Sequence, residues 1–167
     1  MTQRRITRIA GAGLAGLDTA IGLAQAGRPV EVFDTAPDSG WERKGTWDAV
    51  ENWTTETDFA VLLERWKITR SFEYRPVGNF EVYDPRGECY SITTPDPIFY
   101  LVKRGNKSGA LEYALKQQAL NFEVPIHYNQ RRNHQEVDVW AVGAQHRVNS
   151  SGLGFAFRLI TLIRSSF

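Results

Sequence analysis

A length of 167 residues suits one domain with a core of its own. The 42% hydrophobic and 23% charged content excludes a disordered or collagen-like polymer, and a formal net charge of +1 gives no basic surplus for nucleic acid. The single cysteine, Cys89, excludes an intrachain disulfide and fits a reducing, cytoplasmic setting, and no apolar run reaches the about 20 residues of a membrane span.

The first predicted element is a strand over residues 6–10, with Ile6 and Ile9 apolar. Gly11-Ala12-Gly13-Leu14-Ala15-Gly16 follows it in the G-x-G-x-x-G pattern. Gly11 allows the tight turn out of the strand. Gly13 lets the backbone approach a pyrophosphate, and Gly16 lets the next helix pack closely on the strand. Leu17, Ala20, Ile21 and Ala24 recur at helical spacing, and Gly27 stands where a closing glycine belongs. Val30-Glu31-Val32-Phe33 reads as a second strand, and Asp34 after it can accept hydrogen bonds from ribose hydroxyls. The order predicts a βαβ unit for the ADP half of a dinucleotide. Its candidate cofactor-binding residues are Gly11, Ala12, Gly13, Leu14, Ala15, Gly16 and Asp34. An acid at position 34 disfavours a 2′-phosphate, hence NADP. FAD and NAD stay open at this point, as does a glycine turn that serves the fold alone. Arg4-Arg5 before an apolar stretch also has the outline of a twin-arginine export signal. Asp18 interrupts that stretch, and an export signal leaves the glycine spacing unexplained.

Residues 35–57 are polar and carry Trp41, Trp47 and Trp53, which predicts a long loop. Its tryptophans either pack on the domain surface or cover a ligand. Thr55-x-x-Asp58 predicts a helix start, with Phe59, Leu62, Leu63 and Trp66 on one face. From Thr69 the period changes. Strands are predicted at 71–74, 80–83 and 90–93, separated by the turn sequences Pro76-Val77-Gly78-Asn79 and Asp84-Pro85-Arg86-Gly87. They read as an antiparallel meander. A nicotinamide dinucleotide domain would continue with another helical crossover, so FAD is put ahead of NAD. An apolar run at 98–102 leads into Lys103-Arg104-Gly105. Ser108 is placed to cap a helix ending near Asn121, with Leu111, Leu115, Ala119 and Phe122 on one face. Strands follow at 124–128 and 137–142. The fold class expected is α/β, a Rossmann-like parallel sheet with a βαβ dinucleotide-binding unit and an antiparallel β-meander insertion.

Ile9-Ala10-Gly11-Ala12-Gly13-Leu14-Ala15-Gly16-Leu17 through Val32-Phe33-Asp34 is joined by three further segments. These are Glu51-Asn52-Trp53-Thr54, Phe99-Tyr100-Leu101-Val102-Lys103-Arg104-Gly105 and Asp138-Val139-Trp140-Ala141-Val142-Gly143-Ala144. Together, over residues 6–157, they resemble the N-terminal FAD-binding part of FAD-dependent oxidoreductases of the geranylgeranyl reductase and aromatic-ring hydroxylase type. Val142 stands where that family often has the threonine of Ala-Thr-Gly. The resemblance implies that Arg104 contacts the cofactor near its pyrophosphate or ribose, whereas composition alone makes Arg104 a surface charge or a helix-flanking base. It also implies a flavin-dependent reductase or monooxygenase as parent activity, acting on a lipid-like or aromatic small molecule. The family's later Gly-Asp motif and substrate domain have no counterpart. Residues 1–157 are therefore expected to be an incomplete FAD-binding domain and 158–167 an apolar tail. That expectation covers a truncated or frameshifted piece and a subunit that needs a partner.

In a flavoenzyme the isoalloxazine carries the redox step, so no catalytic side chain is named. Cys89 reads as incidental, and His127, His134 and His146 lack metal-ligand spacing. Two other classes are weighed beside this one: an NAD-binding dehydrogenase or regulatory module, and a catalytically degenerate domain.

Overall fold

The computed structural model describes residues 5–54 and 56–141. Arg4, Thr55, His146, the end of the return strand at 142–144 and the tail at 158–167 lie outside them. The elements in chain order are β1 (Thr7–Ala10), α1 (Leu14–Gln25), β2 (Val30–Phe33), a 3₁₀ turn (Trp41–Arg43), β3 (Trp47–Glu51), α2 (Phe59–Arg65), β4 (Tyr74–Val77), β5 (Asn79–Tyr83), β6 (Cys89–Thr93), β7 (Phe99–Lys103), α3 (Leu111–Asn121), β8 (Ile126–His127) and β9 (Val139–Trp140).

A parallel sheet in the order β8-β2-β1-β9 forms the centre of this α/β fold. Ile126, Val32, Ile9 and Val139 lie in one register row and pack into the core with α1 and α3. Full burial of side chains such as Leu17 and Ile21 from α1 contributes about 1.5–3 kcal/mol each. Gly27, at φ +66°, closes α1 as its sequence position predicts, and the N–H of Arg28 donates to the Leu23 carbonyl at 3.0 Å.

The insertion between the second and third parallel strands is antiparallel, and its strands divide between two sheets. β3 and β4 flank β7, and among the described residues β5 pairs only with β6. β7 therefore belongs to the antiparallel layer and not to the parallel sheet. The segment read as one long loop contains β3. Among the residues of β3 only Val50 is buried, which left little periodic signal. Pro76 is tolerated in β4 because that strand is an edge. The turn at 84–87 forms as its composition predicts: Asp84 Oδ1 accepts from the N–H groups of Arg86 and Glu88, and Gly87 takes φ +84°.

Two helix starts differ from expectation. Asp58 is itself the cap of α2, accepting from the Ala60 N–H at 2.8 Å. Ala110, not Ser108, precedes α3, because Gly109 at φ +84° turns the chain between them. Leu111, Leu115 and Ala119 are buried as predicted, while Phe122 stays exposed. Among the described residues no helix is long and apolar enough to cross a membrane.

Candidate dinucleotide site

A cleft of about 850 Å³ opens where β1, β2 and β9 end. Ala12, Gly13, Leu14, Asp34, Arg104 and Trp140 are among its walls, with the 3₁₀ turn Trp41–Arg43. The glycine turn supplies its floor, and its three glycines have separate causes. Gly11 adopts φ +107°, a region that side chains avoid, and donates its N–H to the Phe33 carbonyl at 2.7 Å. A Cβ on Gly16 would lie 1.7 Å from the Gly11 carbonyl oxygen, so the fold itself demands glycine there. Gly13 has an ordinary φ of −83°, and a Cβ on it would meet nothing within 4 Å. Nothing in the packing of the described residues requires Gly13 to lack a side chain.

Gly13 also starts α1, and no side chain caps that end. The first turn of α1 holds no acidic residue, and the Asp34 carboxylate stands just ahead of it, accepting from the Ala12 N–H. Free N–H groups at a helix start are donors of the kind that suit a phosphate-sized anion. At the end of β2, Asp34 Oδ1 accepts from the Ala36 N–H at 2.8 Å and its Oδ2 accepts from the Ala12 N–H, which holds the carboxylate at the glycine turn. Each carboxylate oxygen has a second lone pair for a ligand hydroxyl.

Arg104 lines the same cleft from the end of β7, although only 8% of it is exposed. Its Nη1 lies 2.5 Å from Asp48 Oδ2 and its Nη2 lies 2.5 Å from Glu112 Oε1. Asp48 also faces the exposed Arg43 at 3.6 Å. Gly40, at φ +71°, brings the preceding loop against this cluster, and a Cβ there would lie 2.7 Å from the Gly105 carbonyl oxygen. Close by, Asp38 pairs with Lys116 at 2.8 Å and accepts from Asn106 at 3.3 Å. Ser39 shares a 2.7 Å hydrogen bond with Tyr128, whose phenol is pushed up by burial.

Of the residues singled out from sequence, Ala12, Gly13, Leu14, Asp34 and Arg104 share the cleft wall. Gly11, Ala15 and Gly16 do not line it; they shape the turn and the helix behind it. Trp41 lines the cleft, whereas Trp47 and Trp53 do not. Asp38, Asp48, Glu112 and Trp140 carry no local motif. Only Glu112, in the first turn of the helix that follows Arg104, had a sequence position that could have flagged it. Among the described residues no group of three or more potential metal ligands occurs, and His127 and His134 are engaged in ring stacking.

No family model and no curated protein matches the sequence. Solved structures do share the fold. The tetrameric form of 2-methyl-3-hydroxypyridine-5-carboxylic acid oxygenase superposes with a TM-score of 0.55 at 22% identity, over 76% of this chain and 32% of that one. A geranylgeranyl bacteriochlorophyll reductase-like protein from Thermoplasma acidophilum gives 0.54 at 14% identity, over 77% and 33%. CtdE in complex with FAD and a substrate gives 0.51 at 18% identity, over 75% and 30%. The chain spans about a third of the length of the solved chains it matches. At these identities the likeness establishes the α/β fold with its parallel sheet and antiparallel insertion.

Proposed function

We propose that this chain binds FAD and forms the flavin-binding part of an oxidoreductase of the reductase or monooxygenase type. Gly13 carries the reading. Its missing side chain is unexplained by the fold and is explained by a pyrophosphate lying against the backbone. The cradle fits the group: Gly13 and the start of α1 would hold the phosphates, Asp34 the adenosine ribose, and Arg104 the pyrophosphate or the adjoining sugar. FAD is favoured over NAD because the antiparallel insertion replaces a further helical crossover, and CtdE, which shares the fold, is solved with FAD. When bound, the flavin supplies the redox step, and the protein's part is to bind and orient it.

The whole activity also calls for a substrate-binding part, from further chain or a partner subunit. A small aromatic molecule is the substrate class we favour, because one structure sharing the fold is an oxygenase of a hydroxypyridine carboxylic acid. A cytoplasmic location is the setting we assign. The test is to purify the chain, add FAD or NADH, and measure flavin absorbance and bound nucleotide. Stoichiometric flavin is expected. Binding of NADH without FAD would move the chain to the dehydrogenase class, and binding of neither would leave a domain whose glycines serve only the fold.

A further inference from the structure

One register row crosses the parallel sheet on the face opposite the core: His127, Phe33, Ala10 and Trp140. The bulky rings of Phe33 and Trp140 stand on the strands either side of Ala10, which is itself buried. The rings differ in what covers them. Phe33 is closed: His127 stacks on it with centroids 4.7 Å apart, the Arg132 guanidinium sits 4.3 Å from its centre, and only 5% of it is exposed. Trp140 is open: His134 stacks on it at 3.7 Å, yet 41% of the residue remains exposed, and it lines the cleft beside Ala12, Gly13 and Asp34.

We infer that the indole of Trp140 is the platform on which the purine ring of the ADP moiety stacks. The inference deepens the dinucleotide reading and rests on it. The polar groups of the cleft serve the phosphates and the ribose, but none offers a flat apolar surface to a base. A purine needs such a surface, because its two faces lose water on binding and gain most from ring stacking. Trp41, the other aromatic side chain lining the cleft, is served differently: Lys44 Nζ sits 3.3 Å over its ring, and it belongs to the 3₁₀ turn beside Arg43. Trp140 is backed by His134 and stands on the strand next to the glycine turn. It therefore presents a supported ring within reach of a base whose diphosphate lies on Gly13.

The test uses the full chain, with ADP and inorganic pyrophosphate as separate probes followed by calorimetry. Trp140→Leu is expected to weaken ADP binding about tenfold, while Trp140→Phe stays within about threefold of the parent. Pyrophosphate affinity should be the same in all three proteins, and circular dichroism should show all three folded. The quenching of tryptophan emission by ADP should shrink in Trp140→Phe. Unchanged ADP affinity in Trp140→Leu overturns the inference. So does an equal loss of pyrophosphate binding, which marks general damage to the cradle. A parent protein that binds pyrophosphate and ADP equally well removes the purine platform but leaves the phosphate cradle standing. A parent that binds neither removes both.

Discussion

The Oδ2 atom of Asp34 accepts a hydrogen bond from the Ala12 N–H at 2.6 Å, tying the end of β2 to the glycine turn after β1. The carboxylate proposed to hold a ribose thus also ties down the glycine turn. Asp34→Ala strands the Ala12 N–H and should cost about 1–3 kcal/mol of stability. It should also change selectivity. The parent is expected to bind ADP about tenfold more tightly than 2′-deoxy-ADP, because one charge-assisted hydrogen bond is lost with the hydroxyl. In Asp34→Ala that ratio should fall to near one. A parent that does not distinguish the two nucleotides would sink the ribose role of Asp34.

The glycine turn offers a paired experiment. Gly16→Ala forces a Cβ against the Gly11 carbonyl, which is backbone and cannot swing aside. Its cost should reach the upper end of the about 1–3 kcal/mol usual for overpacking. Gly13→Val places its side chain in open cleft at a φ that any residue adopts. It should unfold close to the parent temperature and fail to bind ADP. Thermal denaturation and an ADP titration on both variants separate the roles. Retained ADP affinity in Gly13→Val would show that no ligand approaches the backbone there.

The part of this fold that was legible in the sequence is the part whose devices are local. Strand, glycines, helix and closing glycine from Thr7 to Phe33 each act within a few residues, so their order sufficed. The pairing of β7 with β3 and β4 was not legible, because it joins segments up to 56 positions apart, as Asp48 and Arg104 are. A mostly exposed strand such as β3 leaves no apolar alternation to read. The same division runs through the site. Gly13 and Asp34 announced themselves by motif. Trp140 enters only because β9 pairs in register with β1, and Glu112 only because Gly40 turns a distant loop against it.

Asp58 and Tyr100 make a pH-sensitive contact away from the cleft. The Tyr100 hydroxyl donates to Asp58 Oδ2 at 2.8 Å. Burial first, then this hydrogen bond and the Asp58 charge, push the phenol up from 10.0 to about 12. A raised group stabilises the fold below its unfolded value and loses that contribution as pH rises through its folded value. Stability should therefore fall between pH 10 and about 12 in the parent, and less steeply in Tyr100→Phe. Asp58 has the opposite sign. Burial pushes its carboxyl up, but hydrogen bonds from Tyr100, the Ala60 N–H and Asn52 outweigh burial and hold it below 3.8. Its contribution is present above 3.8 and is lost as pH falls through the lowered value. Denaturant titrations across both windows read the two slopes. An identical alkaline slope in parent and Tyr100→Phe would remove Tyr100 from the account.

Arg104 has a structural duty and a proposed binding duty, and a double variant can separate them. Its Nε donates to Glu112 Oε1 at 2.8 Å, while Glu112 Oε2 accepts from the Gly105 N–H at 3.0 Å. Glu112 is only 2% exposed. Arg104→Met leaves that carboxylate buried with one backbone donor, which should cost about 3–5 kcal/mol. Adding Glu112→Leu removes the stranded charge, and most of the stability should return, since a buried ion pair can be exchanged for apolar side chains at little net cost. The guanidinium has further N–H donors at the cleft wall, so the refolded double variant should still bind ADP more weakly than the parent. If stability and ADP affinity both recover, Arg104 serves only to anchor β7 to α3, and the cofactor contact implied by the family resemblance does not hold for this chain.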